Sequence, residues 1–391
     1  MNFVLHKEDV NTMVCQSFSD GYHALNQYIL KEGIKTESRL GTTYETLNFK
    51  TVIQDPLKKS TVSLCRNSNI FFHLAESLWV LTGRDDLNFV EIFNSRFSEY
   101  SDDGKILHGA YGNRMRNWTN SEGQNSIDQL FKLTSLLNTD PNSRRSVISL
   151  WNPTLDLGKI KKDLPCNTQL VLRVKDDELH LTIFNRSNDL HWGYVANIFQ
   201  FSFLGEIISL LIDKKFARQT HFSQSLHIYT DNNILYKVED TDIHRKFHSK
   251  YPTTDFVFNF ENSTDFYDER FSEIDGVFKW VTNIVLEFYQ SETKSLKESL
   301  VEIDHLRSKS NSVFEITYLL ILYTSYKKDL KISNNQDELR KKYANYLLDK
   351  SNTYKFKHKD YFALALNYFV HRMNADSKLD FTIEDPLMGK Y

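Results

Sequence analysis

Cysteine is scarce in this sequence. Only Cys15, Cys65 and Cys166 occur, and no two of them form a Cys-x-x-Cys pair. An odd number without such pairs argues against a disulfide framework and against a zinc site, so we expect no bound metal. Few cysteines also fit a reducing compartment, and we expect a cytoplasmic protein.

The sequence also lacks a strong charge of one sign and a long apolar run. Its formal net charge is −3, whereas a protein that binds nucleic acid through bulk electrostatics is usually more basic. No basic segment followed by an apolar run opens the chain, and the apolar stretch FQFSFLGEIISLLI is shorter than a membrane span and contains a glutamate. We therefore expect a soluble protein with neither a membrane nor a nucleic-acid partner.

Helix and strand patterns are mixed over the first two thirds of the chain. Apolar residues recur at three- and four-residue spacing from Ile70 to Leu81, which predicts a helix, and Glu76 lies inside this mostly buried pattern. A first helix is predicted to end at Gly33 in the left-handed conformation. The acidic letters KDDE are predicted to turn between two strands. These patterns predict an α/β (α+β) fold.

The character of the sequence changes near residue 268. Beyond it, helical patterns with charged outer faces replace almost all strand signals. We expect a first domain of residues 1–265 and a helical C-terminal extension of residues 266–391. An added packing layer or an enlarged dimer surface is the favoured role for this extension, and partner docking or a lid is the alternative.

The residues with the clearest chemistry lie between 165 and 189. Cys166 follows a proline, and Arg186, Ser187 and Asp189 follow about twenty residues later on a predicted neighbouring strand end. An arginine near a thiol favours the nucleophilic thiolate, and arginine with serine suits a phosphate monoester. Two simpler interpretations remain open, a small buried cysteine and a surface ion pair between the arginine and the aspartate.

The segment resembles the signature of the thymidylate synthase superfamily. That signature joins Pro-Cys, an Arg-Ser-x-Asp cluster, a Gly-x-x-x-Asn opening of an apolar helix and a His-x-Tyr. The matching residues run in the family's order, with similar gaps, through Arg39, Glu76, Tyr111-Gly112, Ser143-Arg144-Arg145, Pro165-Cys166, Arg186-Ser187-Asn188-Asp189, Gly193, Asn197 and His227-Ile228-Tyr229. The resemblance covers about residues 20–262 and implies the family's fold, a twisted mixed sheet flanked by helices.

The resemblance implies a one-carbon transfer to C5 of a pyrimidine nucleoside 5′-monophosphate. Cys166 would add to C6 and make C5 nucleophilic, with methylenetetrahydrofolate as the one-carbon co-substrate. Tyr111 and its water network would remove the C5 proton, and Glu76, with a pKa raised by burial, would relay protons to the base. Arg186 and Asp189 complete the implied catalytic set. A glutamate paired with Arg84 or Lys58 is the structural alternative for Glu76.

The resemblance also implies how the nucleotide is bound. Arg39, Arg186 and Ser187 would bind the phosphate, with Arg144 and Arg145 reaching it from the partner in a homodimer. Asn197 would read the base; its amide suits O4 and N3–H of uracil, whereas cytosine-acting relatives tend to have aspartate there. His227 and Tyr229 would hold the sugar, which leaves ribose and deoxyribose both open.

Departures from the family cluster around the expected folate site, formed by Asp189, Trp192, Gly193 and Ala196. A looser, wetter pocket would let water capture the methylene, so we favour hydroxymethylation over methylation of dUMP. A nucleotide-binding protein without turnover is a further alternative, as is RNA binding through the extension. The departures are Phe93, Phe97 and Tyr100 in place of tryptophans, Asp163 for an apolar residue, Asn167 for histidine, Asn185 for glutamine, Trp192 for leucine and Ala196 for an aromatic.

The covalent mechanism makes a direct prediction. Replacing Cys166 with alanine removes the only proposed nucleophile but none of the groups expected to bind phosphate, base or sugar. We expect Cys166→Ala to lose turnover while nucleotide binding, measured by calorimetry, survives. Retained activity would contradict the mechanism.

Overall fold

The structure is a computed structural model that describes residues 3–6, 11–38, 40–63, 68–119, 126–231, 243–260 and 267–372. Its framework is a twisted sheet of nine strands among those residues. The strands are β1 (Phe3–His6), β2 (Thr12–Cys15), β3 (Ile34–Ser38), β4 (Gly41–Ile53), β5 (Val147–Ser149), β6 (Asn167–Lys175), β7 (Glu178–Asn185), β8 (Asn188–Asp189) and β9 (Lys215–Tyr229).

The sheet is mixed. Its main order is β1-β2-β4-β9-β7-β6-β5, with β3 paired to β4 and β8 to β9. The pairs β2–β4, β7–β9 and β8–β9 are parallel and the others antiparallel. The α/β class and the mixed sheet are therefore confirmed.

Helices cover the sheet and make up the C-terminal part of the described chain. A π-helical turn, Leu190–Tyr194, leads directly into α7, and short 3₁₀ segments lie at Ser95–Tyr100 and Ile303–His305. The helices are α1 (Phe18–Glu32), α2 (Ile70–Leu81), α3 (Leu87–Val90), α4 (Tyr111–Arg116), α5 (Gln129–Thr139), α6 (Pro153–Asp156), α7 (Val195–Leu211), α8 (Ile243–Lys250), α9 (Tyr267–Gln290), α10 (Leu296–Glu302), α11 (Leu306–Lys309), α12 (Asn311–Leu330), α13 (Gln336–Thr353) and α14 (Lys359–His371).

The β6–β7 hairpin sets the position of the site. Its turn residues Asp176 and Asp177 have φ of 53° and 60°, the left-handed region that a two-residue hairpin turn requires. Alternate residues of β7 are buried, as expected for a strand with one face on the core. The KDDE turn is confirmed.

Helix α7 is buried on nearly every side. The sheet covers one face and α2 and α9 pack on others, so its sequence is apolar throughout rather than amphipathic. Among the described residues, Leu190–Leu211 is long and apolar enough to cross a membrane, yet 94% of its most apolar window is buried inside the protein. This burial places the helix in the core of the protein.

The end of the first helix differs in one detail from the expectation. Helix α1 ends at Glu32 and Gly33 follows it, but Gly33 has φ −68° and ψ 145°. The backbone is extended there because the chain passes straight into β3. The predicted left-handed cap is wrong, although the end of the helix is confirmed.

The C-terminal helices share a hydrophobic core with the earlier part of the chain. Tyr323 of α12 stacks on Phe71 of α2 at 4.7 Å and on Phe93 at 5.5 Å, measured between ring centroids. All described residues beyond Tyr229 are helical or irregular. The boundary near residue 265 falls within residues 261–266, outside the described residues, and stays a prediction.

A buried ion pair lies where the two parts of the chain meet. Lys59 Nζ lies 2.9 Å from Glu206 Oε2 on α7, and both side chains are almost fully buried. Lys59 Nζ also donates to the Tyr361 hydroxyl on α14 at 3.3 Å, and the Phe256 amide donates to Glu206 Oε1 at 2.8 Å. The charges are thus compensated inside the core.

Breaking this pair should destabilise the protein. Lys59→Met leaves the Glu206 carboxylate buried without its cation, and we expect a loss of about 3–5 kcal/mol in the free energy of unfolding, measured by denaturant titration. The control is Lys58→Met, because Lys58 pairs with Asp55 at the surface, where such pairs contribute about 0–1 kcal/mol. Equal losses in the two variants would contradict the role of burial.

Candidate active site

The pairing of β6 with β7 brings Cys166 and Arg186 together. Cys166 immediately precedes β6 and Arg186 immediately follows β7, and Asn167 lies opposite Asn185 in the antiparallel register. The Arg186 amide donates to the Cys166 carbonyl at 2.9 Å. Two residues twenty positions apart in sequence are therefore held side by side at one end of the hairpin.

The side chain of Arg186 is fixed against the cysteine loop. Its Nε donates to the Pro165 carbonyl at 2.9 Å and its Nη2 to the Leu164 carbonyl at 3.0 Å. The same Nη2 lies 3.7 Å from Cys166 Sγ, and the guanidinium lies over the Trp151 ring. The cation is thus aimed at the sulfur.

Burial nevertheless raises the pKa of the Cys166 thiol above its ordinary value. Arg186 opposes this rise, while the negative charges of Asp163 and Asp189 add to it. The expected effect of the arginine is present but smaller than that of burial. The sulfur is therefore mainly a thiol in the free protein, and the thiolate has to form by proton transfer.

Tyr111 opens helix α4 beside the cysteine. Its hydroxyl accepts a long hydrogen bond, 3.4 Å, from the Asn167 amide, the residue after Cys166. Burial first, and then the charges of Cys166 and Asp163, raise its pKa well above the ordinary value. Tyr111 is therefore a neutral phenol within reach of the same cleft.

Glu76 lies on the buried side of α2. Its Oε2 has no hydrogen-bond partner within the described part of the chain, and burial raises its pKa to about 8. This confirms the expected shift toward neutrality. The alternative ion pairs are wrong, because Arg84 pairs with Asp86 and Lys58 with Asp55.

Asn197 is held in a chain of buried amides on α7. Its Nδ2 donates to Asn188 Oδ1 at 3.4 Å, and its Oδ1 accepts from Gln200 Nε2 at 2.6 Å. Asn188 Nδ2 in turn donates to Ser223 Oγ at 3.1 Å. Asn188, Gln200 and Ser223 were not identified as site residues from the sequence. Asn188 stands inside the Arg-Ser-x-Asp cluster, but nothing in sequence spacing marks the other two.

His227 and Tyr229 lie at the end of β9, where Asp189 of β8 pairs with His227. The two rings meet edge to face at 5.3 Å. Burial lowers the pKa of His227. Burial, Asp189 and Cys166 all raise the pKa of Tyr229, so this hydroxyl lies within electrostatic range of the cysteine.

The expected folate residues surround the π-helical turn. Asp189 Oδ1 accepts from the amides of His191 and Trp192 at 2.9 Å and 3.4 Å and so starts the turn. The Trp192 side chain is 48% exposed, and a Cβ on Gly193 would meet no atom within 4 Å. Ala196 is buried. A planar ligand thus has an exposed ring and open space here.

The other residues that are predicted to bind the phosphate are exposed, half-buried or outside the described residues. Arg144 and Arg145 are exposed, with Arg145 only 4.0 Å from Asp140, and Ser187 is half-buried next to Arg186. Arg39 lies outside the described residues, between β3 and β4. Their roles in binding stay predictions.

The aromatic residues that replace the expected tryptophans take different positions. Phe93 is buried against Tyr323 of α12, and Phe97 packs edge to face on Phe72 and Trp79. Tyr100 is 42% exposed. Phe93 and Phe97 are thus used by the core, and only Tyr100 offers a ring to solvent.

The sheet, and the grouping of Cys166 with Arg186 and Tyr111 at one end of the β6–β7 hairpin, agree with one family of proteins. The family model described as "Thymidylate synthase" matches residues 20–294, more than two thirds of the 391 residues. The chain belongs to the thymidylate synthase family.

Individual members of the family can also be compared with this chain. The chain is 39% identical over 210 residues to the deoxyuridylate hydroxymethyltransferase of Pseudomonas phage M6, covering 53% of this chain and 58% of that protein. It is 35% identical over 210 residues to the protein of the same name from Bacillus phage SP01, covering 52% and 55%. It is 28% identical to the thymidylate synthase of Corynebacterium aurimucosum over 54% of this chain and 78% of that protein. The chain thus spans little more than half the length of the two phage relatives.

The raised pKa of Glu76 predicts how stability depends on pH. Its pKa of about 8 in the folded protein lies above the ordinary 4.5, so the unfolded chain binds fewer protons between these values. Stability from this group is therefore full below about pH 4.5 and is lost as pH rises to about 8. We expect Glu76→Gln to be increasingly stable relative to the unmodified protein over this range, measured by chemical denaturation.

The control for this prediction is the exposed Glu292, for which Glu292→Gln should leave the pH dependence unchanged. A constant difference between the Glu76→Gln and unmodified proteins across the range would mean that Glu76 ionises normally.

Proposed function

We propose that the protein transfers a one-carbon unit to C5 of deoxyuridine 5′-monophosphate and releases the 5-hydroxymethyl nucleotide, with methylenetetrahydrofolate as co-substrate. The proposal rests on one observation: Cys166 Sγ lies 3.7 Å from Arg186 Nη2, and the Tyr111 hydroxyl accepts a hydrogen bond from the amide of Asn167, the residue after Cys166. The phage relatives named deoxyuridylate hydroxymethyltransferase support the base, the sugar and the product.

The first step uses the sulfur. C5 of a pyrimidine is a poor nucleophile, and addition of the Cys166 thiolate to C6 turns it into an enolate-like carbon. Burial raises the pKa of this thiol. The sulfur therefore loses its proton only when the pyrimidine ring is bound and its C6 is in place to form the bond to sulfur. Arg186 stabilises the thiolate at the moment it forms.

Two further groups handle protons. Glu76, with a pKa of about 8, is mostly protonated at neutral pH and can donate to O4 as charge develops there. Tyr111 has a strongly raised pKa, so the phenolate is disfavoured and a water positioned by its hydroxyl takes the C5 proton.

The nucleotide would be held from three directions. Asn197, fixed by Asn188 and Gln200, reads the edge of the base, and His227 with Tyr229 binds the sugar. The phosphate is taken up by cations and a hydroxyl, and part of this set comes from a second copy of the chain in a homodimer. The phosphate set is Arg39, Arg186 and Ser187, with Arg144 and Arg145 of the partner subunit.

The folate would occupy the open surface at the π-helical turn. The half-exposed Trp192 ring offers a stacking face, Gly193 leaves space, and Asp189 supplies a carboxylate beside them. Methylenetetrahydrofolate supplies the one-carbon unit when bound. The small Ala196 and the missing tryptophans leave a less closed pocket, which favours capture of the methylene by water over hydride transfer.

The location and the extension complete the proposal. We place the protein in the cytoplasm, where its co-substrate and nucleotide are available. Residues 1–265 form the catalytic domain and residues 266–391 the helical extension. The described residues of the extension, 267–372, form an added layer that packs on α2 through Tyr323 and on Phe199 of α7 through Tyr361.

Mass spectrometry of the nucleotide product tests this proposal. We expect dUMP with methylenetetrahydrofolate to gain CH₂O, and dCMP and CMP to react far more slowly, because Asn197 suits uracil. UMP has the same base as dUMP, so its rate tests the choice of sugar alone. Asn197→Asp is the matched variant and should shift preference toward dCMP.

Other products would identify the alternatives. A gain of CH₂ with dihydrofolate formed would mean methylation, as the name of the Corynebacterium relative suggests for that protein. Tight dUMP binding without product from any nucleotide would mean a non-catalytic binding protein.

A further inference from the structure

Asp163 is a carboxylate in the cysteine loop that the mechanism above does not use. Its Oδ2 accepts a hydrogen bond from the Gly109 amide at 2.8 Å. Its Oδ1 makes no hydrogen bond within the described part of the chain, and the side chain is only partly buried. One oxygen is therefore anchored and the other is open.

The Asp163 carboxylate lies three residues before Cys166, in the same loop. The charge of Asp163 raises the pKa of both Cys166 and Tyr111, so it is within electrostatic range of the thiol and of the phenol. The loop packs closely on Gly109, since a Cβ on that residue would lie 2.8 Å from Pro165 N and 3.0 Å from Asp163 Oδ2. The carboxylate is thus held against Gly109, close to the residue that precedes Cys166.

The surroundings make this carboxylate a stronger base than an exposed aspartate. Burial raises its pKa above the ordinary value, and this outweighs the Gly109 hydrogen bond and the positive charges of His108, Arg114 and Arg186. A carboxylate with a raised pKa holds a proton more firmly and so abstracts one from water more readily.

We propose that Asp163 is the general base that activates the water attacking the C5 methylene of the Cys166-bound nucleotide. This rests on the proposed function. In the step, the water oxygen bonds to the methylene carbon and its proton passes to Asp163. The π pair of the methylene moves into the C4–O4 enolate. The enolate then re-forms the C4–O4 and C5–C6 double bonds and expels the Cys166 thiolate, with no net oxidation.

A structural role makes a different prediction. If Asp163 only anchored the loop through Gly109, Asp163→Asn would keep that hydrogen bond and full activity, and only Asp163→Leu would fail. If Asp163 is the general base, the amide of asparagine cannot take the proton from water as the carboxylate does, so both variants should lose the hydroxymethyl product.

The test is a single-turnover reaction of the full chain with 5-tritiated dUMP, methylenetetrahydrofolate and added 2-mercaptoethanol. Tritium release reports Cys166 addition and carbon transfer, which precede the water step. We expect Asp163→Asn to release tritium at the unmodified rate while hydroxymethyl product falls roughly 100-fold or more. The C5 methylene that water no longer captures should react with 2-mercaptoethanol and appear as a thioether of the nucleotide.

The control is Asp103→Asn, because Asp103 is an exposed carboxylate that caps the 105–106 amides of a surface turn. It should behave as the unmodified protein. Unchanged hydroxymethyl yield in Asp163→Asn, or equal loss of tritium release and product, would overturn the inference. Failure of the unmodified protein to make hydroxymethyl product would instead remove the proposed function, and the inference with it.

Discussion

The pairing of β6 with β7 is the constraint on which the site depends. It sets the Arg186 amide on the Cys166 carbonyl at 2.9 Å and so brings the guanidinium to the sulfur. The tight turn at Asp176 and Asp177 fixes the register, and a slip of one residue would turn Asn167 and Asn185 to the other face of the sheet. Chemistry at the cysteine therefore depends on a turn at the far end of the hairpin.

Burial supplies the second constraint, and it acts in one direction on several groups. It raises the pKa of Cys166, Tyr111, Asp163 and Glu76 together, because a buried charge is less well solvated than an exposed one. Burying the Glu76 side chain costs free energy, and the packing of the surrounding core offsets this cost. In that core, α2 packs against α7, α12 and α14.

Much of this arrangement could be predicted from the sequence, because local patterns determine it. The spacing of apolar residues predicted α2, the KDDE letters predicted the turn of the hairpin, and the order of the motifs predicted the family. Tertiary effects were not predictable in this way. Gly33 is extended because β3 follows at once, the thiol pKa rises because burial outweighs Arg186, and Gln200 and Ser223 join the site only through contacts between α7, β8 and β9.

The central claim is that Cys166 forms the covalent bond to the pyrimidine ring. It is tested most directly by incubating the protein with 5-fluoro-dUMP and methylenetetrahydrofolate, since fluorine at C5 cannot leave as a proton does and the adduct persists. Peptide mass spectrometry should then find nucleotide and folate joined to the peptide that contains Cys166. An unmodified Cys166 peptide, or an adduct on Cys15 or Cys65, would contradict the account.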